Sequence, residues 1–293
     1  MSSRWSEELP ESLRFDLVTN LTLILFLLHA PDFWYARSPL AVLAICGLIY
    51  RPLRLRMEFW AATTAILALS LWLNWFAVDN HKYLEAYLSL ALCCTFAATE
   101  ADRGAVLAST ARWLIGLCVG LSVVWKLMSP DFVNGAFFEF TLLVDDRFAH
   151  VASWFGGISL ETLFQNREVE HMLTHGYVQG IALEDVTLKS SPQLKLLARC
   201  ITGWTLAIES LLALAFLLPS RLRLAALRDP ALLVFAATTY LVANVQGFGW
   251  LLMILGIAQC RRTRAAFLYV AVYLLIEVYN IPYGDMVSSV LSR

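Results

Sequence analysis

The chain has 293 residues, 59% hydrophobic and 15% charged, with a net charge of −1 and a mean hydropathy of +0.65. Soluble domains carry about a quarter charged residues, so this composition excludes an ordinary soluble globule, and the near-neutral charge offers nothing to a nucleic acid. Apolar stretches recur along the chain, flanked by Arg, Asp or Pro, which predicts an all-α, polytopic transmembrane helix bundle forming a single membrane domain over 1–293.

The first span is expected at 15–30. Acidic residues precede it and more spans follow, so it reads as an uncleaved helix rather than a signal peptide. Further spans are expected at 39–50, 57–78, 83–100 and 110–128, and then at 196–219, 230–245, 247–260 and 265–283. Several fall short of the roughly 20 residues a full crossing needs. The pair over 230–260 reads as two helices bent at Gln246-Gly247 or as one long one, and the charges favour two.

Short loops carry four arginine clusters: Arg51, Arg54 and Arg56; Arg103 and Arg112; Arg221, Arg223 and Arg228; Arg261, Arg262 and Arg264. Nine spans with a cytoplasmic N-terminus put all four on the cytoplasmic side, leaving Arg37 and Lys82 in short outer loops. His81 and the helix end at Lys126 then share the outer face with the segment 129–195. That segment is too polar to span and too aromatic for a plain linker, and it reads as extracytoplasmic, interfacial helices.

Six cysteines stand at 46, 93, 94, 118, 200 and 260, with no CxxC pair, and read as buried small hydrophobes. Glu168, His171 and His175 share one helical face, but Met172 breaks the HExxH pattern. A solvated face is the expectation there, and no metal site is assigned.

Asp16, His29, Glu85, Lys126, Glu209 and Glu277 are ionisable groups inside expected spans. Each costs about 2.5–3.5 kcal/mol at a helix centre, so each needs a partner, a wet cavity or a function. Lys126 reads either as an amine snorkelling to headgroups or as a desolvated amine, kept neutral, that acts as a general base. His81 reads as an interfacial histidine or a proton relay. Glu209 reads as a carboxyl tying helices together, or as the partner of a cation such as Lys126.

Two stretches, NHKYLEAYLSLAL (80–92) and WKLMSPDFVNG (125–135), together resemble the membrane domain of vitamin K-dependent γ-glutamyl carboxylase and its bacterial relatives, the horizontally transferred transmembrane (HTTM) family. The residues that carry the likeness are Asn80, His81, Tyr83, Leu84, Lys126, Leu127, Asp131, Phe132 and Gly135. GWTLAIESLLALAFLLPSRLR (203–223) is similar to the family's glutamate-bearing helix, and QGFGWLLMILGIAQC (246–260) to its late Phe-containing segment.

The resemblance implies an integral protein of a bacterial cytoplasmic membrane acting on a reduced, vitamin K hydroquinone-like quinone with O2 and CO2. Lys126 would be the base and His81 its polar partner, with Asn80, Tyr83, Trp125, Phe132 and Glu209 around the quinone. The animal family has a second lysine where Trp125 stands, and its large lumenal domain has no expected counterpart here. Quinone oxygenation (epoxidation) or another lysine-driven reaction is therefore expected, rather than carboxylation of protein glutamates. Two other readings stay open: a non-catalytic accessory for maturation or export of a secreted peptide, with 129–195 docking a peptide or partner membrane protein, and a lipid-binding bundle in which Lys126 pairs with a headgroup or Glu209.

Overall fold

A computed structural model of the chain describes residues 8–29, 31, 33–175, 187–240 and 246–279. It is all-α, with fourteen α-helices among the described residues. In chain order these are α1 (Glu11–Leu28), α2 (Trp34–Ile49), α3 (Arg51–Arg54), α4 (Met57–Leu73), α5 (Asn80–Ala97), α6 (Arg103–Met128), α7 (Pro130–Val133), α8 (Ala136–Val144), α9 (Ala149–Gly156), α10 (Leu160–His175), α11 (Pro192–Leu217), α12 (Arg228–Tyr240), α13 (Gln246–Gln259) and α14 (Thr263–Tyr279). The expected junction of the 230–245 and 247–260 spans, the end of the 265–283 span, and residues 176–186 of the outer segment lie outside the described residues.

A helix stands at the place of each expected span, but the expectation of nine crossings needs correction. Among the described residues, α6 and α11 alone are long and apolar enough to cross a membrane, at 26 residues each. The apolar helices α2, α4 and α13 have 16, 17 and 14 residues. At 1.5 Å per residue the longest of these reaches about 25 Å, against a hydrocarbon core of about 30 Å. Helix α1 carries Glu11, Arg14 and Asp16 within its first two turns.

Helix ends also differ from expectation for identifiable reasons. α4 stops at Leu73 rather than 78, where Asn74 Nδ2 donates to the Ser70 carbonyl at 2.9 Å and to the Tyr35 hydroxyl. α6 begins at Arg103 rather than 110. It runs straight through Arg112, whose guanidinium bonds to Ala108 O at 3.2 Å and Ser220 Oγ at 2.7 Å. α11 starts at Pro192, a favoured first helical residue, after Ser191, whose Oγ accepts from Leu194 N at 3.0 Å.

The described residues pack as two compact units, those within 8–118, 215–240 and 246–279 in one, and those within 119–214 in the other. In the first, α13 is the hub. Its sequence is apolar on all sides, and Leu251, Met253, Ile254, Leu255, Ile257 and Ala258 are fully buried, as a helix without a polar face requires. It packs against α1, α5, α12 and α14, while α4 and α5 share the most extensive contact. Buried threonines satisfy their hydroxyls within their own helix: Thr22 donates to Val18 O, Thr63 to Phe59 O and Thr95 to Ala91 O. The end of α11 is closed by Arg228, whose guanidinium reaches Ala215 O, Leu218 O and Ser220 Oγ at 2.8, 2.8 and 3.0 Å.

In the second unit the segment expected at 129–195 folds into the short helices α7 to α10. Leu142, Leu143, Phe148, Ala152, Leu163, Leu194 and Ala198 form its core. Gly135 starts α8 at φ +88°, a conformation that suits glycine. Asn166 clasps the chain at Lys189 with two bonds of 2.9 Å, one from its amide to Lys189 O and one from Lys189 N to its own oxygen.

The cysteine expectation is overturned for most positions. Cys260 is buried, Cys93 and Cys118 are half-buried, and Cys46, Cys94 and Cys200 are exposed. They lie on apolar helices, but on outward faces of those helices. Glu168 and His171 are exposed on α10, and among the described residues no group of three or more His, Cys, Asp or Glu could hold a metal.

Candidate functional site

Near the C-terminal end of α6, Ser122 and Lys126 stand one turn apart, so both project from the same helix face. Glu209 on α11 meets them. Lys126 Nζ donates to Glu209 Oε1, and Ser122 Oγ lies 3.3 Å from Glu209 Oε2. The lysine side chain keeps 21% of its exposure and the glutamate 9%. The ammonium also sits 5.4 Å from the centroid of the Phe132 ring, within cation–π range.

Phe132 is held by the turn that ends α6. Ser129 caps α7 by accepting from Phe132 N at 3.4 Å, and Pro130 opens that helix. The ring is buried and packs against Phe137 at 5.5 Å and Phe138 at 5.3 Å. The result is a cation–carboxylate pair walled on one side by aromatic rings. Trp125 faces elsewhere and is 76% exposed.

The other expected residues lie in the first unit. His81 is half-buried in the first turn of α5, 6.1 Å from Phe248 in an edge-on arrangement. Its ring lies so close to Gly247 that a Cβ there would fall 2.3 Å from the imidazole Cδ2. Asn80 is exposed at the start of α5. Tyr83 is half-buried, donates to Trp75 O at 3.3 Å and packs edge-on against the Trp75 ring at 6.0 Å. The site thus divides: Lys126, Glu209 and Phe132 gather in the second unit, and His81 and Tyr83 have their contacts within the first.

A second polar cluster in the first unit joins His29, Glu85 and Glu277, each expected to need a partner, with Lys82, expected in an outer loop. Lys82 is not a loop charge but a first-turn residue of α5. Its Nζ donates to Glu85 Oε1 at 2.8 Å and to His29 O at 2.6 Å. Glu85 is 1% exposed, and its second oxygen has no partner. His29 lies 3.3 Å from Glu277 and stacks on Trp250 with centroids 3.7 Å apart. The three-residue spacing of Lys82 and Glu85 was a legible signal, whereas His29 and Glu277 are 248 residues apart.

No family model, curated protein or solved structure matches this chain.

Proposed function

We propose that this chain is a membrane-embedded helix bundle that carries out lysine-initiated oxygenation of a reduced quinone, as its motif resemblance to the γ-glutamyl carboxylase and HTTM families implies. In this reading α6 and α11 supply the long crossings. The shorter apolar helices fit a membrane that thins locally around them. The outward apolar side chains support the membrane setting: Val42, Ile45 and Ile49 on α2, and Leu69, Trp72 and Leu73 on α4, are all exposed. In this reading the exposed loop arginines and the N-terminus would face the cytoplasm of a bacterial cell.

The observation that carries the catalytic reading is the Lys126–Glu209 pair beside the Phe132 ring. An aromatic wall suits a flat apolar ring, and a half-buried ion pair suits its polar oxygens. A reduced quinone would supply an acidic hydroxyl and, with dioxygen, the oxidation that ends in a quinone epoxide and water. Phe132 would hold the ring, and Lys126 and Glu209 would act on the hydroxyl. Lys126 donates its proton to Glu209 in the present arrangement. To act as a base, Nζ passes that proton to Glu209 Oε1 and then accepts the substrate's. Ser122 holds the carboxylate in place for that transfer. The resemblance gives His81 a part in the reaction as well, and its substitution is a separate test.

The test is epoxide formation from a reduced naphthoquinone by the purified protein, followed by mass spectrometry. Lys126→Ala abolishes product, and Glu209→Gln slows it while leaving binding of the quinone in place. Unchanged turnover in Lys126→Ala removes this lysine from the mechanism.

A second reading rests on a different observation. Trp125, Met128, Trp154 and Phe155 are all strongly exposed in the second unit, which favours an apolar partner such as a secreted peptide or another membrane protein. Co-purification of one specific peptide that survives Lys126→Ala supports that reading over the catalytic one.

A further inference from the structure

A cleft of about 540 Å³ opens in the first unit where α1, α6 and the end of α13 approach one another, lined by Glu8, Glu11, Arg14, Gly104, Gln259 and Arg261 among others. A short antiparallel bridge between Glu8 and Arg262, with Leu9 N donating to Arg261 O at 2.8 Å, fixes its wall. The first turns of α1 and α6 both border it. Pro10 gives α1 no side-chain cap, so the positive end of the helix dipole there is not offset by a capping oxygen.

Arg14 is the decisive residue. It is 8% exposed, its Nε is enclosed without a partner, and no described residue gives its side chain a hydrogen bond or ion pair. A buried guanidinium left so is costly. Glu11 stands three residues away on the same helix, at the spacing where ion pairs form. Its carboxylate lies instead against Gly104, where a Cβ would fall on Oε1. The cleft is therefore lined by two guanidinium groups, Arg14 and Arg261, and two carboxylates, Glu8 and Glu11, and its formal lining charge is zero.

We propose that this cleft binds a zwitterion that carries a phosphate and a primary ammonium group, the chemistry of phosphoethanolamine. The phosphate takes the unfilled donors of Arg14, with Arg261 adding to its field. The ammonium meets the carboxylates of Glu11 and Glu8. The two carboxylates discriminate against an anion that lacks an ammonium group, which separates this site from a simple anion trap. Two sources share that chemistry: the headgroup of phosphatidylethanolamine, which rests on the membrane reading, and free phosphoethanolamine, which does not.

The experiment is native mass spectrometry of the full chain in detergent, titrated in separate arms with phosphatidylethanolamine, phosphatidylglycerol, free phosphoethanolamine and inorganic phosphate. One phosphatidylethanolamine or one phosphoethanolamine binds with at least about 10-fold preference over phosphatidylglycerol and phosphate, a difference of roughly 1.4 kcal/mol. Arg14→Gln removes the adduct. Glu11→Gln, an exposed substitution that leaves the fold intact, abolishes the preference over phosphatidylglycerol. Binding of the lipid that free phosphoethanolamine fails to displace assigns the site to the membrane, and tight binding of the free compound assigns it to a soluble metabolite. Equal binding of phosphatidylglycerol and phosphatidylethanolamine overturns the proposal, as does preference unchanged in Glu11→Gln or an adduct unchanged in Arg14→Gln.

Discussion

Lys126 and Glu209, 83 residues apart in the chain, form one ion pair that Ser122 braces from the glutamate's other oxygen. Each charge sits in an apolar stretch of its helix, and each is the other's main compensation. Removing one leaves a part-buried charge, which costs about 3 kcal/mol, the low end for such pairs because Lys126 keeps some solvent. Lys126→Met and Glu209→Gln each lower the thermal midpoint in detergent. The double variant falls less than the sum of the two, with a coupling of about 1–3 kcal/mol. Additive losses show that the two side chains do not depend on each other.

Gly247 admits the His81 ring because it has no Cβ. Gly247→Ala drives a methyl group into the imidazole and costs about 1–3 kcal/mol as overpacking. Adding His81→Ala removes the clash and restores most of the midpoint. A Gly247→Ala protein as stable as the parent places the ring elsewhere.

Asn166 holds the backbone at Lys189 from both sides. Asn166→Leu removes both bonds to the Lys189 backbone, whose groups turn to water instead, at about 0.5–1.5 kcal/mol per lost bond. Limited proteolysis reads the result directly: cleavage within 187–191 speeds up several-fold relative to the rest of the chain. Asn166→Asp, which keeps the acceptor but loses the donor, falls between.

The Asp145–Arg147 pair gives a pH signature outside the long helices. Partial burial pushes the Asp145 carboxyl up. The Arg147 guanidinium, with Nε 3.0 and 3.1 Å from its two oxygens, and the Arg147 backbone N–H together outweigh that and hold it below the usual carboxylate value. A carboxyl lowered in the folded state adds stability above its unfolded value, about 3.9, and that stability disappears as pH falls through the lower folded value. The pair is half-exposed, so its share is about 0.5–1 kcal/mol. Asp145→Asn lies below the parent by that amount at neutral pH, and the two melting curves merge once the pH has fallen through the lowered folded value. A gap that persists in acid assigns the loss to packing.

The helices were legible because their apolar runs are long and their flanks polar, and each expected span has a helix at its place. Their ends were not. Arg112 looked like a boundary but folds its guanidinium back onto a carbonyl and a serine, letting α6 continue. Asn74 ended α4 through a hydrogen bond to Tyr35, a residue with no sequence signal linking the two. In the candidate site, Lys126 and Glu209 stood out as lone charges in apolar surroundings, and the outward turn of Trp125 follows from its place one residue before Lys126 on a helix. Lys82 was misread because a lysine beside Asn80 and His81 looks like loop. The helix begins at Asn80, and Glu85 lies within reach one turn later.

Arg54 and Arg228 are buried, and each spends its guanidinium on the carbonyls of a helix terminus, Gly47 O for one and Ala215 O and Leu218 O for the other. Such side chains are structural fasteners, so they should be subtracted from any tally of topogenic charge. On the membrane reading, insertion polarity then rests on the other members of the four clusters, Arg51, Arg56, Arg103, Arg112, Arg221, Arg223, Arg261, Arg262 and Arg264, and reversing it by engineering would require changes among those nine.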